Sequence, residues 1–160
     1  MNPRLVPLAA ILQASDSMFC RALAGMTREQ GLARLVGEVN PLLWTAAHVT
    51  TTRYGLAQLV GLDHPRPWGT QFTRGSEVGD PEAIPDAEET RAAWEALRAP
   101  LSTRLDQLTD PDLDAPSPRK LPVEDASVLG AIAFLAYHEG YHVGQMALVR
   151  KALGLGGLVG

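Results

Sequence analysis

Two runs rich in glycine and proline divide this chain into segments and limit what it can fold into. Residues 61–85 hold Gly61, Pro65, Pro67, Gly69, Gly75, Gly79, Pro81 and Pro85, and residues 110–124 hold Pro111, Pro116, Pro118 and Pro122. So many breakers exclude long regular structure in either run. The first run exceeds the ~12–15 residues typical of structureless connections, which indicates a functional loop. We expect its Trp68 and Phe72 to pack over the end of the fold where a site opens.

The remaining segments carry apolar residues at helical spacing. Asn2-Pro3 and Asn40-Pro41 read as an N-cap followed by a first-turn proline, and Gly25 and Gly61 are suited to end those two helices. Two further helices are predicted from Asp86 and from Asp125 or Ser127, the latter ending at Gly154.

Four such helices predict an all-α fold. We expect one domain over residues 1–160, a four-helix bundle with a long crossover loop between helices 2 and 3. Pro100 lies within the third helix, and because proline removes a backbone donor and clashes with the preceding turn, a kink or break is predicted near Ala99.

Composition narrows the classes of partner and compartment. The net charge is -4, from 14 basic and 18 acidic residues without long blocks, so neither nucleic acid nor a charged membrane surface is an expected partner. No stretch approaches the roughly 20 apolar residues of a membrane span, and Met1–Arg4 does not open a signal peptide. Cys20 is the only cysteine, which fits a reducing cytoplasm.

Three histidines are candidate ligands of a metal ion. His138 and His142 are four residues apart and so share one face of the fourth helix, while His48 lies on the inward face of the second. Buried imidazoles without a metal leave N–H donors to satisfy, so a shared metal ion is a reasonable hypothesis. The segment also matches H-E-x-x-H of zinc proteases, but the 18 residues after His142 contain no His, Asp or Glu to complete that site. His64, at the start of the crossover, is expected to be exposed.

The two histidine-bearing segments together resemble a known family. Asn40-Pro41-Leu42-Leu43-Trp44-Thr45-Ala46-Ala47-His48, combined with His138-Glu139-Gly140-Tyr141-His142-Val143-Gly144-Gln145, is similar to the DinB/YfiT-like bacterial metalloproteins. The resemblance spans nearly the whole chain. It implies a four-helix bundle with His48, His138 and His142 as ligands of a divalent cation, and often a homodimer. Three nitrogen ligands without thiolate suit Zn or Ni best and leave a position open for chemistry.

The resemblance implies two activities. Some members transfer a low-molecular-weight thiol, bacillithiol or mycothiol, to an electrophile, with the thiolate held on the metal. The alternative is metal-dependent hydrolysis by metal-bound water, with Glu139 as candidate base. A third interpretation is a non-enzymatic, stress-associated binding protein. The small-molecule substrate itself is not indicated by any residue.

Further site residues are expected around the three histidines. Tyr141 and Gln145 each lie three residues from a histidine and are candidate hydrogen-bond donors, although Tyr141 is equally suited to packing between helices. Glu139 lies about 100° around the helix from His138, which favours water for its side chain. Asp16 is expected either at a wet rim or as acceptor of an imidazole N–H. The candidate substrate-binding residues are Trp44, Trp68 and Arg53; Arg53, Arg74 and Arg150 are candidate anchors for an anionic thiol and otherwise surface charges.

Overall fold

A computed structural model describes residues 1–35 and 39–158, and these residues are helical without strands. The all-α class is therefore confirmed. The long helices are α1 (Val6–Leu23), α3 (Leu42–Leu59) and α7 (Val128–Ala152), and the shorter ones are α2 (Arg28–Leu32), α4 (Ala87–Ala96), α5 (Arg98–Gln107) and α6 (Asp110–Asp114). Within the described ranges, no helix is both long enough and apolar enough to cross a bilayer.

The core lies between the long helices and the shorter helices that pack on them. Helix α7 packs on both α1 and α3, α3 packs on α4, and α1 packs on α4 and α5. The apolar stripes predicted for the first and third helices are buried: Phe19 stacks on Trp94 with ring centroids 3.9 Å apart, and both side chains are fully enclosed. This ring of contacts places α3 beside α7, the two helices that carry the three histidines.

The predicted break in the third helix is present, at Leu97 between α4 and α5. In an unbroken helix, an N–H at position 100 would donate to the carbonyl of Ala96, the last residue of α4. Proline has no N–H, so the interruption falls there. Leu97, Leu101, Leu105 and Leu108 all remain buried across the break. The apolar stripe thus continues although the helix does not.

Helix ends differ in detail from the predicted caps. Helix α1 begins at Val6, because Asn2 and Pro3 form a preceding turn in which the amide of Leu5 donates to the carbonyl of Asn2 at 2.9 Å. Ser127 caps α7 as expected by accepting from the amide of Gly130 at 3.1 Å. Gly25, Gly61 and Gly154 take positive φ directly after their helices, as the stop signals predicted.

The two connections also carry short helices. The crossover after α3 includes a 3-10 turn at Pro81–Ala83, and the second connection includes α6, which the sequence analysis did not predict. Thr109 and Asp112 form a reciprocal capping box at the start of α6. Pro116 and Ser127 form a bridge that ties the end of this second connection to the start of α7.

Two glycines of α7 should respond oppositely to alanine. A methyl group at Gly130 would overlap the backbone carbonyl of Asp125, whereas a methyl group at Gly144 would meet no atom within 4 Å. We expect Gly130→Ala to destabilise the fold by about 1–3 kcal/mol. Gly144→Ala should stabilise it by about 0.5–1 kcal/mol through helix propensity. Urea denaturation measures both changes, and equal effects of the two substitutions would contradict this packing.

Candidate metal centre

His48 of α3 and His138 and His142 of α7 converge on one point. A ring nitrogen from each lies within 4.8 Å of the other two. The Nε2 of His138 is 3.3 Å from that of His48 and 3.2 Å from that of His142. The structure therefore brings together the three ligands predicted from the sequence.

Hydrogen bonds on the far side of two rings fix their orientation. The Nδ1 of His48 donates to the backbone carbonyl of Phe72 at 2.7 Å, and the Nδ1 of His142 donates to the Oε1 of Gln145 at 2.7 Å. A neutral imidazole protonated at Nδ1 carries a lone pair at Nε2. Both rings therefore direct a lone pair to the point where His138 also presents Nε2.

These lone pairs fit a cation. His138 has one N–H at most, so it can donate to only one of the two facing nitrogens if no cation is present. A divalent ion satisfies all three nitrogens at once, and an all-nitrogen set suits zinc or nickel. The acceptors on Nδ1 are the outer partners that metal-binding histidines require.

The three imidazoles are disposed to be neutral. Burial lowers the pKa of His48. Burial, followed by the neighbouring positive charges of His142, His48 and Arg119, lowers the pKa of His138 to about 3. Burial and the charge of His48 lower the pKa of His142 to about 4. Only a deprotonated nitrogen binds a metal, so these shifts favour ligation at neutral pH.

The histidines border an open cavity of about 620 Å³. Trp44 forms part of its wall and stacks on His48, with ring centroids 5.4 Å apart and planes 7° from parallel. Phe134 and Leu135 of α7 add apolar surface. The cavity is large enough for a small organic molecule to approach the histidines directly.

Gln145 and Tyr141 lie beside this cluster. Gln145 accepts from His142 and donates through Nε2 to the hydroxyl of Tyr141 at 3.1 Å. The Tyr141 side chain is 52% exposed, so it is not packed between described helices. Gln145 is therefore placed to orient the imidazole of His142, and Tyr141 is linked to the histidine cluster through Gln145.

Glu139 lies elsewhere, and its expected exposure to water is wrong. It is 1% exposed and faces Arg53, whose Nε is 3.7 Å from Oε1 of Glu139. Burial raises the pKa of Glu139 to about 7, although the charge of Arg53 opposes the shift. The residue does not border the histidine cavity. The α7 face in contact with the core is therefore rotated toward Glu139, Val143 and Met146, and leaves His138 and His142 at its edge.

Arg53 and Asp16 belong to the same buried charge cluster. Arg53 is 2% exposed, contrary to the alternative that it is a surface charge; its Nη1 donates to Asp16, and its guanidinium lies 3.9 Å from the ring centre of Trp94. Asp16 also accepts from Nε1 of Trp94 at 2.9 Å, and its side chain is 14% exposed, so it lies at a partly accessible rim and is not bonded to an imidazole. Both residues border a separate cavity of about 470 Å³ that shares no lining residue with the first.

The remaining candidates divide between the site and the scaffold. Trp68 packs edge-on against Phe72 and donates to Glu89 at 2.9 Å, so it supports the loop that holds His48 without bordering the cavity. Arg74 does border the cavity. Arg150 donates to the carbonyl of Ala24 at 2.6 Å and thus caps the end of α1.

Three contributors to the site are not among the residues predicted from the sequence. The carbonyl of Phe72 is a backbone group, so no side-chain pattern identifies it. Arg66 and Arg119 border the cavity from the two connections. A signal existed for Arg66, which precedes Pro67 and is therefore restricted in its backbone conformation.

Removing one imidazole should remove the metal. Purified wild-type protein is expected to contain one equivalent of zinc or nickel, and His48→Ala should lose most of it because two protein ligands hold such an ion poorly. His64→Ala is the matched control, since the hydrogen bonds of His64 among the described residues are made by its backbone, with Leu62 and Gln58. Elemental analysis after gel filtration gives the stoichiometry. Equal metal in wild type and His48→Ala would exclude His48 as a ligand.

Three comparisons with known proteins bear on this site. A search of the curated proteins and a search of the solved structures each found no match. A family model described as the DinB superfamily matches residues 11–146, a range that contains all three histidines. The convergence of those histidines in an all-α fold is consistent with that match. The chain belongs to the DinB superfamily.

Proposed function

We propose that this protein is a metal-dependent enzyme that transfers a low-molecular-weight thiol, of the bacillithiol or mycothiol type, to an electrophilic small molecule. The observation that carries the proposal is the convergence of three Nε2 atoms at the wall of an open cavity. A structural metal site is normally closed by four protein ligands, whereas three leave a position free. A zinc or nickel ion there would supply a Lewis acid that lowers the pKa of a thiol and holds the thiolate.

The side chains and backbone of the protein would contribute to this reaction by orienting the imidazoles and the reactants. The carbonyl of Phe72 and the amide oxygen of Gln145 hold two imidazoles in the tautomer that presents Nε2 to the cavity. The flat face of Trp44 continues the wall beside His48 and offers apolar contact to an organic electrophile. Holding both reactants within one cavity removes much of the entropic cost of a bimolecular step.

Hydrolysis is the second candidate, and the position of Glu139 disfavours it. A general base must reach the nucleophilic water directly or through one water. The carboxylate of Glu139 faces Arg53 inside the core and does not border the cavity. A non-enzymatic binding role is the third candidate, with which the open cavity beside the histidines is compatible.

Activity assays separate these candidates. Protein loaded with zinc or nickel should conjugate bacillithiol or mycothiol to 1-chloro-2,4-dinitrobenzene, with glutathione as the comparison thiol. We expect His138→Ala to lose at least about a hundredfold in rate, because a ligand matters at least as much as an outer partner, and His64→Ala to retain it. Ester hydrolysis without conjugation would instead support the hydrolase, and stoichiometric metal with neither activity would support a binding protein.

A homodimer is the proposed assembly. The face of α7 that carries Tyr137, Tyr141 and Leu148 exposes 66%, 52% and 68% of these residues. We expect sedimentation to show a dimer that Leu148→Glu dissociates, because the substitution places charge in an apolar contact. A monomeric wild-type protein would refute the proposal.

A further inference from the structure

The charge of the histidine cavity is opposite to that of the whole chain. The chain has a net charge of -4, yet the described residues that border the cavity include no aspartate or glutamate. They do include four basic residues: Arg66, Arg74, Arg119 and Lys120. A concave site lined by one sign of charge concentrates ligands of the opposite sign.

Two of these cations come together over α3. An ideal Cβ at Gly55 would lie 2.5 Å from Nη1 of Arg119 and 3.4 Å from a terminal nitrogen of Arg66. The absent side chain of Gly55 is therefore what admits both guanidinium groups to this point. Neither guanidinium group makes a salt bridge to a described residue, and Arg66 Nε and Arg119 Nη1 are buried without a hydrogen-bond partner among these residues.

Such a pair of cations needs an anion. Bringing like charges together out of water is unfavourable, and burial followed by the charge of Arg66 lowers the pKa of Arg119. A guanidinium nevertheless remains protonated in proteins and presents donors in a planar fork that matches a carboxylate or a phosphate. The unpaired N–H donors and the unbalanced positive charge of the two arginines thus both favour binding of a carboxylate or a phosphate.

A polar side chain of α3, that of Thr51, also borders this cavity. The hydroxyl of Thr51 is buried, with the residue 2% exposed, and has no partner among the described residues. Thr45 and Thr50, on the same helix, each donate to the carbonyl four residues earlier. Thr51 borders the cavity and is free to bond a ligand.

The spacing along α3 relates this position to the metal centre. Gly55 follows His48 by seven residues, which places it on nearly the same helix face and about 10 Å farther along the axis. Thr51 lies between them on that face. One small molecule can therefore span the arginines, Thr51 and the histidines.

We propose that Arg66 and Arg119 form an anion subsite, which binds a carboxylate or phosphate group of the ligand whose other end reaches the three histidines. The assignment of that ligand as the reacting molecule rests on the proposed function, but the anion subsite itself does not. It replaces Arg53 and Arg150 as anchors, because the first is buried against Asp16 and Glu139 and the second caps α1.

The test measures binding of simple anions. Succinate and inorganic phosphate, each titrated by calorimetry into chelated and into metal-loaded protein, distinguish a carboxylate subsite from a phosphate subsite. The variants are Arg119→Met and Gly55→Ala, and the charge-matched control is Arg91→Met on an exposed part of α4. The difference between Arg119→Met and wild type removes any contribution from anion bound directly to a metal.

We expect at least one anion to bind about tenfold or more weakly to Arg119→Met, the size of effect given by a lost charged hydrogen bond. Gly55→Ala should weaken binding in the same direction because its methyl group displaces the guanidinium, while unfolding measurements show the fold retained. Arg91→Met should leave binding unchanged. Equal affinity in all four proteins, or no binding of either anion to wild type, would overturn the proposal.

The outcome is independent of the proposed function. Loss of anion affinity in Arg119→Met, in protein that contains no metal and conjugates no thiol, would retain the subsite and reject the enzyme. Thiol conjugation together with equal anion affinity across the variants would retain the enzyme and reject the subsite.

Discussion

The hydrogen bond from Nδ1 of His48 to the carbonyl of Phe72 is the interaction on which the site depends. It fixes the tautomer that directs Nε2 toward His138, and it attaches the crossover to α3 at the same time. The loop in turn is held by Trp68, which packs on Phe72 and donates to Glu89 of α4. Displacement of the loop would therefore release one imidazole from its orientation, so the geometry of the histidine cluster and the fold around it are coupled.

Helices α3 and α7 each place polar groups on two sides of their contact. On α3, His48 faces the open cavity and Arg53 the buried charge cluster; on α7, His138 faces the cavity and its neighbour Glu139 faces Arg53. The buried cluster is costly because its charges are desolvated, and Glu139 lacks a close hydrogen bond among the described residues. The ion pairs with Arg53 offset part of that cost and add polar contacts to the packing of the two helices.

The two connections contribute to the site through their non-helical segments. In a helix the backbone carbonyls accept hydrogen bonds from amides of the same helix. In the crossover, the carbonyl of Phe72 is free to accept from His48. The same connections bring Arg66 and Arg119 from distant parts of the chain to one glycine of α3. Pro67 restricts the backbone conformation of Arg66, which positions that long side chain.

The sequence by itself determined the long helices, the break before Pro100, the loop-forming runs and the identity of the three histidines, because these follow from local periodicity, breakers and residue spacing. Only the tertiary structure decided which way each neighbouring side chain faces. Glu139 was expected in water and Arg53 as a substrate anchor or a surface charge, and the two are buried against each other, since the packing of α7 on α3 decides which of their faces is enclosed. The guanidinium pair at Gly55 was also invisible in the sequence, because it arises from two connections that meet only in the folded chain.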